Sequence, residues 1–169
     1  MKVLGIDCGS EITGFGVVEQ HADGRLICIA AGAIRLPARA PLPAKLAKVF
    51  QELSEIIARH QPQTVAIEDV FYAANVKSAL KLGHVRGVAM LAASSAHLEV
   101  AEYAPLAIKS SVVGYGRAEK SQIQVMVADL LHLKALPEPP DVADALAIAI
   151  CHLHTAATLQ RQHAGFKHS

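Results

Sequence analysis

"KVLGIDCGSEITGFGVV", residues 2–18, holds the reading that decides the fold. Residues 2–7 form an apolar run that ends in Asp7; turn-forming residues follow in "DCGSEITG", and a second extended run covers residues 14–20. A third covers residues 25–35, joined to the second through "HADGR", where Asp23-Gly24 signals a hairpin. The chain therefore starts as an antiparallel sheet. A strand that closes on an aspartate, then a cysteine and two small residues with no lysine, is not a phosphate-binding P-loop.

The period then changes. Leu46, Val49, Phe50, Leu53, Ile56 and Ile57 fall on one face of a helix over residues 42–59, closed by Pro62. "TVAIED", residues 64–69, is a Val/Ile-rich run reached through that helical crossover, so it is expected parallel to a neighbour, and it too ends in acid. A helix over about 75–96, a strand at 98–103, a short helix near 105–112, a glycine loop and a helix over about 118–132 come next. After the proline-rich "KALPEPPD", Pro139-Pro140 precede a last helix over about 141–158. The order predicts an α/β fold, a mixed sheet flanked by helices, in a single domain over residues 1–158 with a frayed tail at 159–169.

With 169 residues the chain is long enough for one domain with a real core. Its 16 basic and 15 acidic side chains nearly cancel, so any nucleic-acid surface must be local. The N-terminus lacks a signal-peptide pattern, and charges or glycine interrupt the apolar runs before about 20 residues, so a cytoplasmic protein without a membrane span is expected. Cys8, Cys28 and Cys151 are scattered and odd in number, which suggests reduced thiols and neither a disulfide framework nor a zinc site. His152 and His154 face different sides of a helix and read as surface or packed side chains.

Chemistry is suggested by four carboxylates. Asp7 and Glu68 end two strands, and Asp141 and Asp144 share one face of the first turn of the last helix. Singly, each has a plainer reading: strand-end turn residues, a helix N-cap, an acid favoured by the helix dipole. Brought together, they would repel and protonate unless a cation neutralised them. Mg²⁺ takes such oxygen ligands, and a pair of these ions suits phosphoryl transfer in a nuclease.

Further residues point to DNA and to a second copy of the chain. Phe71-Tyr72 follows Glu68 on a loop in a chain with four Phe, three Tyr and no Trp, and an exposed ring there can stack on an unpaired base. Lys77 and Lys81, with Arg86 beyond them, lie on one helix, and Lys109, Arg117 and Lys120 flank the glycine loop. They read either as solvated charges or as phosphate contacts near the helix that begins at about residue 118. Ala79, Gly83 and Gly87 recur every fourth residue, although glycine inside a helix costs about 1 kcal/mol. Such a stripe fits close packing on the chain's own sheet or against the same helix of a partner subunit.

Four pieces in order, "GIDCGSEITGFGVV", "AIEDVFYAANVKSALKLGHVRGVA", "EYAPLAIKSSVVGYGRAEKSQIQVMV" and "DVADALAIAICH", resemble the bacterial RuvC Holliday-junction resolvases over residues 2–155. The resemblance implies an RNase H-like fold, a homodimer and Mg²⁺-dependent symmetrical nicking of a four-way DNA junction to leave 5′-phosphate and 3′-hydroxyl ends. It puts the catalytic acids at Asp7, Glu68, Asp141 and Asp144, holding two Mg²⁺ ions per site with Mn²⁺ as a substitute. It also makes Phe71 a base-contacting residue, sets Lys109 and Lys120 near the cleaved strand, and implies the RuvA–RuvB branch-migration complex as a partner. Cys8 and Ala74 depart from the family's usual proline and lysine. An actin-like or sugar-kinase ATPase begins with a similar hairpin, but this chain is too short for the duplicated domain and lacks the later phosphate and adenosine motifs. A non-cleaving junction-binding module and an RNA-directed RNase H-like nuclease are the other rivals. The intact acid set opposes the first, and Phe71 with the small-residue stripe opposes the second.

Overall fold

The computed structural model of the chain describes residues 1–69, 76–116 and 119–165. Three strands, β1 (Lys2–Asp7), β2 (Ile12–Gln20) and β3 (Leu26–Arg35), lead into helix α1 (Leu42–His60). Strand β4 (Thr64–Glu68), helix α2 (Val76–Ser95), strand β5 (Glu99–Tyr103) and helices α3 (Pro105–Val113), α4 (Lys120–Leu130) and α5 (Pro140–Gly165) complete the order. Element types and sequence match the expectation. The last helix is the exception, running on to Gly165 where a frayed tail was expected from residue 159.

The sheet has the order β3-β2-β1-β4-β5. The first three strands pair antiparallel, and β4 joins β1 in parallel, then β5 joins β4 in parallel. Glycine at position 24, with φ +88, makes the β2–β3 turn, which His21 and Arg25 close by a backbone hydrogen bond of 2.9 Å. Helix α1 starts from Pro41 and stops at Gln61, whose left-handed backbone donates its N–H to the carbonyl of Ile57.

Side-chain alternation assigns each strand residue to a layer. Leu4 and Ile6 of β1, with Val65 and Ile67 of β4, pack in one cluster with Val49 and Leu53 of α1 and Val85 and Ala89 of α2. Val3 and Ala66 belong to the opposite cluster with α3, α4 and the whole middle of α5. By the same two-residue period, Asp7 and Glu68 point to the α5 side, and Cys8 turns toward the α1–α2 side, where it packs against that cluster.

Helix α5 is the central element of its layer. Over Pro140–Leu159 it is long and apolar enough to cross a membrane by length and composition, contrary to the sequence reading that no run qualifies. In this fold that apolar stretch lies against the sheet, with Ala143, Leu146, Ile150 and Leu153 fully buried. Two glycines let it lie so close. A Cβ on Gly5 would sit 2.1 Å from the carbonyl oxygen of Ala145, and one on Gly14 would sit 2.0 Å from that of Asp141. Gly14 is the cross-strand partner of Asp7, so the same contact brings the first turn of α5 down beside the end of β1.

Candidate active site

The two strand-end acids stand on adjacent parallel strands, because Ile6 pairs with Ile67 one residue before each of them. Asp144 lies one helical turn into α5, on the face toward the sheet. Asp7, Glu68 and Asp144 line a cleft of about 260 Å³ closed by Ile108 of α3, Ile123 of α4 and Ile148 of α5. Two cations enter the same cleft, Lys109 from α3 and Lys120 from α4. Lys120 Nζ donates to Asp144 Oδ2 at 3.1 Å, a contact that raises the lysine's own pKa. Asp141 sits above Gly14, half-buried, and its charge also acts on Asp7.

The crowding has an electrostatic cost. Asp7 is pushed from 3.8 to about 7, first by burial and then by the charges of Asp144, Glu68 and Asp141, with Lys120 only partly opposing them. Glu68 is raised as well, by burial first and Asp144 second, against the pull of Lys120 and Lys109. Among the described residues no three Asp, Glu, His or Cys side chains are gathered into a ready-made metal cage. The oxygen-only donor set and the unrelieved repulsion at Asp7 nonetheless fit a hard divalent cation, which would do what one lysine does only in part.

The remaining predicted residues separate into groups. Lys77 and Lys81 stand on α2, which packs on the other face of the sheet from the cleft; Lys81 borders a separate cavity of about 320 Å³ with Ser10, Glu11 and Lys45. Phe71 and Arg117, together with Tyr72 and Ala74, lie outside the described residues. On α2, Gly83 and Gly87 are exposed, and nothing lies within 4 Å of a Cβ built on either, so close packing on their own sheet is not what these glycines serve. Ala79 is half-buried, and Leu80 and Leu91 on the same helix are 61% and 55% exposed. His152 and His154 are packed as expected, hydrogen-bonded to Tyr103 Oη at 2.9 Å and to the Ser111 carbonyl at 3.0 Å.

Two features escape the sequence reading. Gly5 and Gly14 as the seat of α5 carry a signal, since glycine inside a strand marks close backbone approach, but the partner that approaches is distant in sequence. Arg86, read as one of the basic residues of its helix, turns inward instead. Its Nε donates to the Glu68 carbonyl at 3.3 Å, and its Nη2 bonds the Glu102 carboxylate and lies 3.6 Å from Asp69 Oδ1.

Comparison with known proteins shows the family and the fold. The family model for crossover junction endodeoxyribonuclease RuvC matches residues 3–152. The chain is 69% identical over 164 residues to the crossover junction endodeoxyribonuclease RuvC of Koribacter versatilis, covering 97% of this chain and 99% of that protein. Among solved structures, Thermus thermophilus RuvC superposes with a TM-score of 0.86 at 31% identity, covering 94% of this chain and 96% of that one. T. thermophilus RuvC in complex with Holliday junction substrate gives the same TM-score of 0.86 at 28% identity, with the same coverage of 94% and 96%. The chain has the RNase H-like fold and belongs to the RuvC family of crossover junction endodeoxyribonucleases.

Proposed function

We propose that this chain resolves four-way DNA junctions during recombination and repair, cutting two opposed strands at symmetrical positions in the cleft between β1, β4 and α5. One observation carries the assignment to this cleft: Asp7, Glu68 and Asp144 meet on one face, crowded enough to hold Asp7 near 7, with Lys109 and Lys120 at the rim. Asp7, Glu68, Asp141 and Asp144 are the residues that would hold two Mg²⁺ ions, with Mn²⁺ as a substitute. When bound, the metals supply positive charge for the attacking and departing oxygens of an in-line hydrolysis, which leaves 5′-phosphate and 3′-hydroxyl ends.

The chain's own residues do the rest. Asp7 and Glu68, fixed on neighbouring strands, set the distance between the two sides of the site, and α5 supplies the other acids as one rigid unit. Lys120 offsets the charge of Asp144 before substrate arrives, and with Lys109 it attracts the scissile phosphate. Phe71, Lys77, Lys81 and Arg117 are assigned to contacts with the junction DNA, the two lysines of α2 away from the cleft itself.

A homodimer supplies two such sites for two strands. The exposed stripe of α2, with Leu80, Gly83, Gly87 and Leu91 uncovered, supports the same helix of a partner subunit as the contact, joined by Ala79. A cytoplasmic site of action and the RuvA–RuvB complex as the source of the junction complete the reading. The test is a substrate panel. A synthetic four-way junction incubated with Mg²⁺ is nicked in opposed strands, and a linear duplex and an RNA/DNA hybrid are left largely intact. Equal cutting of the linear duplex or of the hybrid would contradict the assignment.

A further inference from the structure

The peptide unit that follows Glu68 is tied at both of its polar groups. The Asp69 N–H donates to the Tyr103 carbonyl of β5 at 2.8 Å, and the Glu68 carbonyl accepts from Arg86 Nε at 3.3 Å. These bonds fix the plane of the backbone immediately beyond the Glu68 Cα, and so the direction in which the Glu68 side chain leaves β4. Arg86 is itself held. Its guanidinium bonds the Glu102 carboxylate on β5 and reaches Asp69 Oδ1 at 3.6 Å, and only 19% of its side chain is exposed.

From this geometry we infer that Arg86 is a positioning residue for the nuclease reaction, pinning the carboxyl end of β4 from α2 so that Glu68 faces the cleft. The inference rests on the role assigned to Glu68 in the proposed function. A planar guanidinium can donate to a backbone carbonyl and a carboxylate together through nitrogens in fixed relation, which a lysine ammonium does not reproduce. Arg86 lies between Gly83 and Gly87 in sequence, on the helix that carries the exposed stripe but turned inward from it. Any partner that seats on that stripe therefore acts on the helix that sets Glu68.

The experiment compares Arg86→Lys, Arg86→Gln and Glu102→Gln with the unaltered chain and with Glu68→Gln. Two readouts use metal-free protein: amide exchange at Asp69 against Ala66 in the strand interior, and junction binding in EDTA. Arg86→Lys keeps the charge and the fold, speeds exchange at Asp69 about tenfold or more, and leaves Ala66 and junction binding unchanged. Its nicking rate at saturating Mg²⁺ falls about 10- to 100-fold, as a displaced catalytic group would cause. Glu102→Gln, which frees the guanidinium without touching its donors, falls partway. Wild-type nicking by Arg86→Lys beside an inactive Glu68→Gln would overturn the positioning role alone. Unchanged Asp69 exchange would do the same, as would a nicking loss that only follows a lowered Tm and recovers on cooling. Wild-type nicking by Glu68→Gln would instead remove the role of Glu68 itself, and the inference with it.

Discussion

Asp7 is the residue on which the electrostatics of the site turn. Its pKa rises from 3.8 to about 7 on folding, so between those values the folded chain holds a proton that the unfolded chain has lost. The contribution of Asp7 to the stability of the metal-free protein therefore falls as pH rises through that window and is lowest above it. Asp7→Asn removes the penalty: by thermal melting in EDTA its Tm exceeds that of the unaltered chain at pH 8 and converges with it near pH 4. A Tm at pH 8 equal to or below the unaltered chain's would argue against crowding. Cys8, one residue on, is directed to the opposite layer and pushed up to about 12, first by burial and then by the Asp7 charge, so the thiol is protonated at neutral pH. Alkylation by iodoacetamide at pH 7.5 is expected to be far slower at Cys8 than for a free thiol, and labelling at a free-thiol rate would show the opposite. The sequence shows the carboxylate beside Cys8 but not its burial. Burial is the larger cause, and that depends on a helix far away in the chain.

Helix α5 and its seat are the decisive element. The four acids were legible in the sequence because each ends a strand or opens a helix, and the two-residue and helical periods assign their faces. The closeness of α5 to β1 and β2 was not legible, since it depends on Gly5 and Gly14 meeting backbone more than a hundred residues later. Adding a methyl at either place overpacks that contact, at a cost of about 1–3 kcal/mol. Gly14→Ala bears on the turn that carries Asp141 and Gly5→Ala on the turn after Asp144, so denaturant melts of both shift toward lower midpoints. Gly14→Ala should also lose nicking in excess of its stability loss. Helix α2 gave the reverse lesson. Its small-residue stripe was visible, but only the structure shows that Gly83 and Gly87 look outward, which removes packing on the chain's own sheet as their purpose. Leu80→Glu or Gly87→Glu places charge on that exposed stripe. Sedimentation velocity at micromolar protein is expected to give a dimer for the unaltered chain and monomer for both variants, and a dimer that survives both changes would locate the interface elsewhere.

For the molecule as a whole, a near-neutral chain acquires a polarised layer. Acids and the lysines of α3 and α4 share one face of the sheet, and Lys77 and Lys81 rise from the other. Element order and the mixed sheet followed from periodicity, and parallel pairing of β4 with β1 followed from the crossover. The inward turn of Arg86 did not, because its partners are a backbone carbonyl, Asp69 and Glu102 at the ends of two strands, which the charge pattern of its own helix does not indicate. With both lysine groups engaged, junction affinity should drop steeply as salt rises. The most direct test of the site is a four-way junction labelled on opposed strands, incubated with Mg²⁺ and the unaltered chain, Asp7→Asn or Asp141→Asn, with binding followed in EDTA. The unaltered chain is expected to give paired nicks, and each variant to bind the junction while its nicking is abolished; nicking retained by both variants would contradict the assignment of these carboxylates as the catalytic centre.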